Sequence, residues 1–264
     1  MIRKRLIAVI TVKDGHAVQS FGYGRWLPMG SAEVLAVNYD RWGADEIVLQ
    51  CIDRSSRGLG PDLALLERVA KKGLSTPLVY SGGIRHAEDA RQVVGHGADR
   101  IIFDALLHDD VALASRLGDA IGTQAVIANL PLGYEGDELR WYDYRNRRTL
   151  PLCANVRAAM ADHAFSELVI SDWQHEGYPG GFDERLADAL GTTVPKILFG
   201  GISDPAQAAR LLAHDAVVAV AISNFLSYRE HAVQWFRDGI TAASAAPMTR
   251  PATYRDREET LYGG

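Results

Sequence analysis

The sequence predicts an α/β fold: a single closed (β/α)8 TIM barrel built from two similar half-barrels, spanning residues 1–242. Three observations carry this expectation. Eight short apolar runs rich in β-branched residues recur along the chain, as strands buried on both faces do. Longer amphipathic stretches separate them, several ending in the glycine that suits a left-handed helix end. And "TPLVYSGGIRHAEDARQVVGHGADRII" (76–102) is echoed without a gap by "VPKILFGGISDPAQAARLLAHDAVVAV" (194–220), Gly200 standing 118 residues after Gly82. Self-similarity at a long offset signals a duplicated unit that cannot close its core alone.

Taken in order, "RLIAVITV" (5–12) is the first strand, followed by a long glycine-containing loop, "SFGYGRWLPMG" (20–30). That loop exposes Phe21, Tyr23 and Trp26, either to fold over a ligand or to meet a partner. Helix 31–43 leads to strand 46–52, helix 61–73 to strand 77–83, helix 86–97 to strand 100–105, and helix 111–122 to strand 124–130. An insertion at 132–154 fits a small β-excursion after the fifth strand. Helix 155–164, strand 167–173, helix 182–191, strand 196–201, helix 205–215 and strand 216–223 complete the alternation. The polar tail 243–264 reads as an extended or partly mobile arm.

Composition excludes several classes. With 264 residues, 47% of them hydrophobic, the chain can bury a large core as one domain. A net charge of −5 argues against a nucleic-acid surface. The apolar stretch Leu6 to Ile10 is too short for a signal peptide, so a cytosolic protein without a membrane segment is expected. Cys51 and Cys153 have no metal-ligand spacing, and no glycine-rich turn follows the first strand tightly enough to bind a dinucleotide; neither metal nor cofactor is expected.

In such barrels chemistry sits at the C-terminal strand ends. Gly82, Gly83, Gly200 and Gly201 fall there, and their amides can cradle phosphate, helped in the second half by Ser223 and Asn224. The competing reading is that the glycines only permit close packing. In the first half, Asp104 would repel an anion unless neutralised.

Length, arrangement and motifs ("KDG" at 13–15, "ADE" at 44–46, "GGI" at 82–84, "GAD" at 97–99, "GG" at 200–201) resemble the cyclase subunit of imidazole-glycerol-phosphate synthase, of the histidine-biosynthesis family. The resemblance covers roughly residues 1–235. It implies a heterodimer with a glutaminase on the N-terminal face and ammonia crossing the barrel to a phosphorylated acceptor. The family's two catalytic aspartates, at the ends of strands one and five, read Thr11 and Pro131 here, and neither carries a proton at neutral pH. Its strand-two aspartate reads Cys51 and its loop-one lysine Gln19. The ancestral cyclisation is therefore expected to be gone.

At the strand starts, Arg5, Glu46, Arg100 and Glu167 match the family's ammonia gate, with Arg100 in place of its lysine, and Asp99 matches a residue that faces the glutaminase. A purely structural salt-bridged plug is the competing reading. At the mouth, Asp172, His175 and Glu176 offer candidate acid–base groups, or simply a solvated loop that binds ligand hydroxyls. Asp53 and Arg54 form a second charged pair, and "HDD" (108–110) reads as a helix cap rather than a metal site.

Three functions stay open. One is an ammonia-accepting partner of a glutaminase whose acceptor is phosphorylated or nucleotide-linked, similar to the cyclase-like barrels of bacterial surface-sugar (O-antigen type) amidation. The others are an authentic histidine-pathway cyclase and a non-catalytic scaffold that activates a glutaminase.

Overall fold

Eight parallel strands close on themselves in the computed structural model, which describes residues 3–104, 112–162, 164–244 and 249–254. In chain order they are β1 (Arg5–Lys13), β4 (Glu46–Cys51), β5 (Leu78–Ser81), β6 (Arg100–Phe103), β7 (Val126–Glu135), β10 (Glu167–Asp172), β11 (Lys196–Phe199) and β12 (Val217–Ile222). β12 pairs back onto β1, with Arg5 opposite Ala219, and this closes the barrel.

Alternation along each strand sorts residues between two cores. Ile7, Val9, Val48, Val79, Ile127 and Val169 point into the lumen. Their neighbours Leu6, Ala8, Ile47, Leu49, Leu168 and Ile170 point out against the helices. Both faces are buried, which is why the strands read as continuous apolar runs.

The outer layer is α1 (Ala32–Arg41), α2 (Leu63–Ala70), α3 (Ala87–Gly95), α4 (Leu113–Ile121), α5 (Ala154–Ala161), α6 (Pro205–Leu212) and α7 (Ala232–Ala243). Side-chain caps start several of them: Ser31 accepts from the Val34 amide, Asp62 from Leu65 and Asp204 from Gln207. α7, absent from the sequence assignment, packs Phe236 and Ile240 against the barrel. The duplication is visible in the backbone. β5 and β11, and the starts of α3 and α6, lie at the same offset as the sequence echo, and Gly82/Gly200 (φ 122° and 111°) and Gly83/Gly201 (74° and 75°) repeat each other's torsions.

Two expectations are corrected. The 182–191 helix is a single 3₁₀ turn, Glu184–Ala187. The buried Lys196 ammonium takes the Ala187 carbonyl at 2.5 Å, and the Gly191 amide bonds back to Asp188 in a three-residue step instead of extending an α-helix. Segment 20–30 is not a loop: β2 (His16–Phe21) and β3 (Arg25–Gly30) form an antiparallel hairpin turning at Gly22 and Tyr23, both at positive φ. A second hairpin follows β7, where β8 (Glu138–Asp143) and β9 (Arg148–Pro151) extend the sheet. The "HDD" at 108–110 and most of the 243–264 tail lie outside the described residues. Arg250, at the near end of that tail, folds back onto Asp45 and the carbonyls of Gly43 and Ala44. No helix among the described residues is long and apolar enough to cross a membrane.

Candidate functional site

At the N-terminal end of the lumen, four strand starts bring together Arg5, Glu46, Arg100 and Glu167. Arg5 pairs with Glu46 and, at 2.8 Å, with Glu167. Arg100 closes the circuit, 3.4 Å from Glu46 and 3.1 Å from Glu167. Each ion meets two of opposite sign. Burial pushes the Glu46 carboxyl up while Arg5 and Arg100 hold it back. Arg100 also donates to the Gln124 carbonyl (3.2 Å) and the Ser166 hydroxyl (3.0 Å), contacts that fix its fork in a way a lysine point charge does not reproduce. Asp99 is exposed beside the ring, with one carboxylate oxygen on the Leu78 amide.

Above the ring the lumen is apolar, with a cavity of about 20 Å³ between Glu46 below and Gln50, Ser81 and Asn129 above. That is room for a water-sized molecule. The upper three residues share the inward parity of Glu46, Val79 and Ile127, and sequence reasoning missed them; polar residues at inward positions of an otherwise apolar strand are the signal that finds them. The same three residues also line a mouth cavity of about 500 Å³. Its walls include Gln50, Ser81, Asp104, Asn129, Pro131 and Ser171, with Tyr23 and Trp26 from the first hairpin and Tyr142, Tyr144 and Arg147 from the second. Tyr142 stacks on Trp173 with centroids 4.1 Å apart. Pro131 sits between the last residue paired to β6, Ala128, and the first paired to β8, Leu132, where a missing amide is tolerated. Thr11 is buried and hydrogen-bonded to Ser223 at 3.1 Å.

The first hairpin is latched over the mouth. Glu176, buried, accepts from the Ser20 hydroxyl (3.0 Å) and the Tyr23 amide (3.1 Å), and its own carbonyl accepts from the Gly22 amide (2.9 Å). Asn224 holds Ser20 from the other side, donating to its carbonyl at 2.7 Å and accepting from its amide at 3.2 Å. Tyr23 is thereby set over the lumen, its hydroxyl accepting from Gln50 at 3.4 Å.

Several sequence candidates fall elsewhere. Asp172, Glu176 and His175 do not line the mouth cavity. The Asp172 carboxylate points outward, taking His175 Nδ1 (2.7 Å) and the Asp183 amide (2.8 Å) to fix the loop after β10, while Glu176 serves the hairpin. Gly200, Gly201, Ser223 and Asn224 also lie off the cavity. A Cβ on Gly200 would stand 2.5 Å from the Asp172 carbonyl, and one on Gly82 would stand 2.3 Å from that of Cys51, so both positions demand glycine for packing alone. The Gly83 amide donates to Ser55 Oγ at 2.9 Å. Asp53 binds Arg57 at 3.3 Å, and Arg54 ties its own loop through the Gly60 carbonyl.

Cys51 is buried, and its thiol is pushed up to about 12 by that burial. It is no acid at neutral pH in place of a carboxylate. At pH 8 the folded protein is expected to react with a thiol-specific disulfide reagent at one site, the exposed Cys153, and at the second only after denaturation; rapid modification of two thiols in the native state refutes the assignment. Among the described residues no three His, Cys, Asp or Glu side chains gather as a metal site.

Comparison with known proteins agrees with this architecture. Residues 5–231 match the model of the histidine biosynthesis protein family. The imidazole glycerol phosphate synthase subunit HisF of Pyrococcus furiosus is 27% identical over 265 residues, covering 99% of this chain and 96% of its own. A HisF of Yersinia pestis is 29% identical over 214 residues, 78% of this chain and 83% of that one. A Vibrio vulnificus protein, named provisionally as imidazole glycerol phosphate synthase subunit hisF2, is 26% identical over 234 residues, 88% of this chain and 86% of its own. The chain belongs to the histidine biosynthesis protein family, as a cyclase-like barrel subunit of the HisF kind.

Proposed function

We propose that this barrel accepts ammonia from a glutaminase docked as a heterodimer on its N-terminal face, and delivers it to a phosphorylated or nucleotide-linked acceptor in the mouth. The observation that carries the reading is the closed ring of Arg5, Glu46, Arg100 and Glu167 beneath an apolar lumen whose upper residues, Gln50, Ser81 and Asn129, also line a cavity of about 500 Å³. Neutral ammonia passes an apolar bore; ammonium does not without a counter-charge. The ring admits one and retains the other, and Asp99 lies on the face the glutaminase would cover.

The relatives are named as imidazole glycerol phosphate synthase subunits. Here Thr11 is buried against Ser223 and Pro131 forms the wall at the second strand end, so neither position offers an acid or base. This supports an acceptor other than the histidine precursor, and we take that acceptor to be one of surface-sugar (O-antigen type) amidation. An open mouth of sugar-sized volume supports an acceptor-binding subunit over a scaffold.

The test is glutamine hydrolysis by the cognate glutaminase with and without this chain. The native barrel is expected to raise hydrolysis at least tenfold, and Arg5→Ala and Glu167→Gln to change that stimulation. Absence of both a complex and a stimulation defeats the proposal and leaves the ring a structural plug.

A further inference from the structure

The first-half glycine turn reaches the mouth at Gly82, and its Gly83 amide is already engaged. The Gly83 amide donates to Ser55 Oγ (2.9 Å), the Ser55 hydroxyl donates to Asp104 Oδ1 (3.1 Å), and the Tyr144 hydroxyl donates to Asp104 Oδ2 (3.0 Å). Asp104 lines the mouth cavity, and its partners among the described residues are these two hydroxyls, with no cation. Of the cations that line the mouth with it, Lys13 is paired with Asp14 and Arg57 with Asp14 and Asp53, while Arg147, from the second hairpin, makes no ion pair with a described residue.

A carboxylate held by two donors keeps lone pairs for more donors and repels a phosphate. We infer that the Asp104 end of the mouth binds a hydroxyl or amino group of the acceptor, a hydrogen-bond donor that is neutral or cationic, in the place where the glycine turn would otherwise cradle phosphate. Asp104 is then the residue that selects an acceptor phosphorylated at one end over one phosphorylated at both. Tyr144 reaches it from the second hairpin, so that hairpin sets its orientation. The inference rests on the mouth being the acceptor site.

Isothermal titration of the isolated barrel with glucosamine 6-phosphate, fructose 6-phosphate and fructose 1,6-bisphosphate tests it. Both monophosphates are expected to bind the native protein at least tenfold more tightly than the bisphosphate. The amino sugar exceeding fructose 6-phosphate identifies an ammonium as the donor; equal binding identifies a hydroxyl. Asp104→Asn, with its thermal unfolding checked against native, is expected to shrink the preference by tenfold or more. Tyr144→Phe keeps the charge but frees it, and is expected to weaken monophosphate binding at least threefold while leaving the bisphosphate unchanged. Equal or tighter bisphosphate binding to native protein, an unchanged preference in both variants, or no heat from any of the three at millimolar concentration overturns the assignment. No glutaminase takes part, so failure here is distinct from failure of the ammonia partnership.

Discussion

Glu46→Ala is expected to lower the unfolding free energy by about 3–5 kcal/mol, the scale for breaking a buried ion network from one side. The Glu46 side chain is 8% exposed and faces both Arg5 and Arg100, so its removal leaves two guanidiniums sharing Glu167. The exposed pair Lys71–Glu67 on α2 gives the contrast, since solvent screens it and Glu67→Ala there is expected to leave the urea midpoint close to that of native protein. Urea denaturation of the two variants beside native protein decides the matter. A Glu46→Ala loss no larger than that of Glu67→Ala would mean that water, not the ring, screens the charges at the barrel floor.

Gly177→Ala is expected to unlatch the first hairpin. Gly177 has φ +80°, and a Cβ there would lie 2.0 Å from the Ser20 carbonyl and 3.0 Å from Phe21 Cα. The backbone penalty alone is about 1–2 kcal/mol, and the clash can be relieved only by moving the hairpin or the loop that carries Glu176. Either shift breaks the Gly22–Glu176 and Ser20–Glu176 bonds. Trypsin is then expected to cut at Arg25, in the exposed part of β3, at least tenfold faster than in native protein. Gly180→Ala is the control: it shares the positive φ, but a Cβ there meets nothing within 4 Å. Equal cleavage rates in the two variants would locate the effect in backbone strain rather than in the latch.

The barrel was legible because its strands are buried on both faces and its halves repeat; β5 and β11 could be placed by the same glycines. The four charges of the ring were legible because they stand at strand starts that match the charged ring of the family the chain resembles. What escaped the sequence was decided by contacts between distant segments. The first hairpin was hidden by its composition, since "SFGYGRW" has the glycines and aromatics of a loop, and Glu176 and Asn224, remote in sequence, join the end of β1 in seating its strands. The 182–191 helix failed to form because Lys196 claims a carbonyl from a neighbouring strand. Asp172 and His175 are neighbours in sequence and in space, yet strand parity turns the carboxylate away from the mouth. Gln50 and Asn129, passed over inside apolar runs, stand where the bore ends.

Each half of the barrel sends out one antiparallel hairpin after its first strand, β2–β3 from β1 and β8–β9 from β7, and both reach over the same mouth. The barrel floor takes no residue from either. Duplication has therefore left the molecule with two jaws that can be rewritten by mutation without disturbing the foundation they stand on. A lineage that keeps the floor and trades its jaws changes what the mouth grips without refolding the barrel.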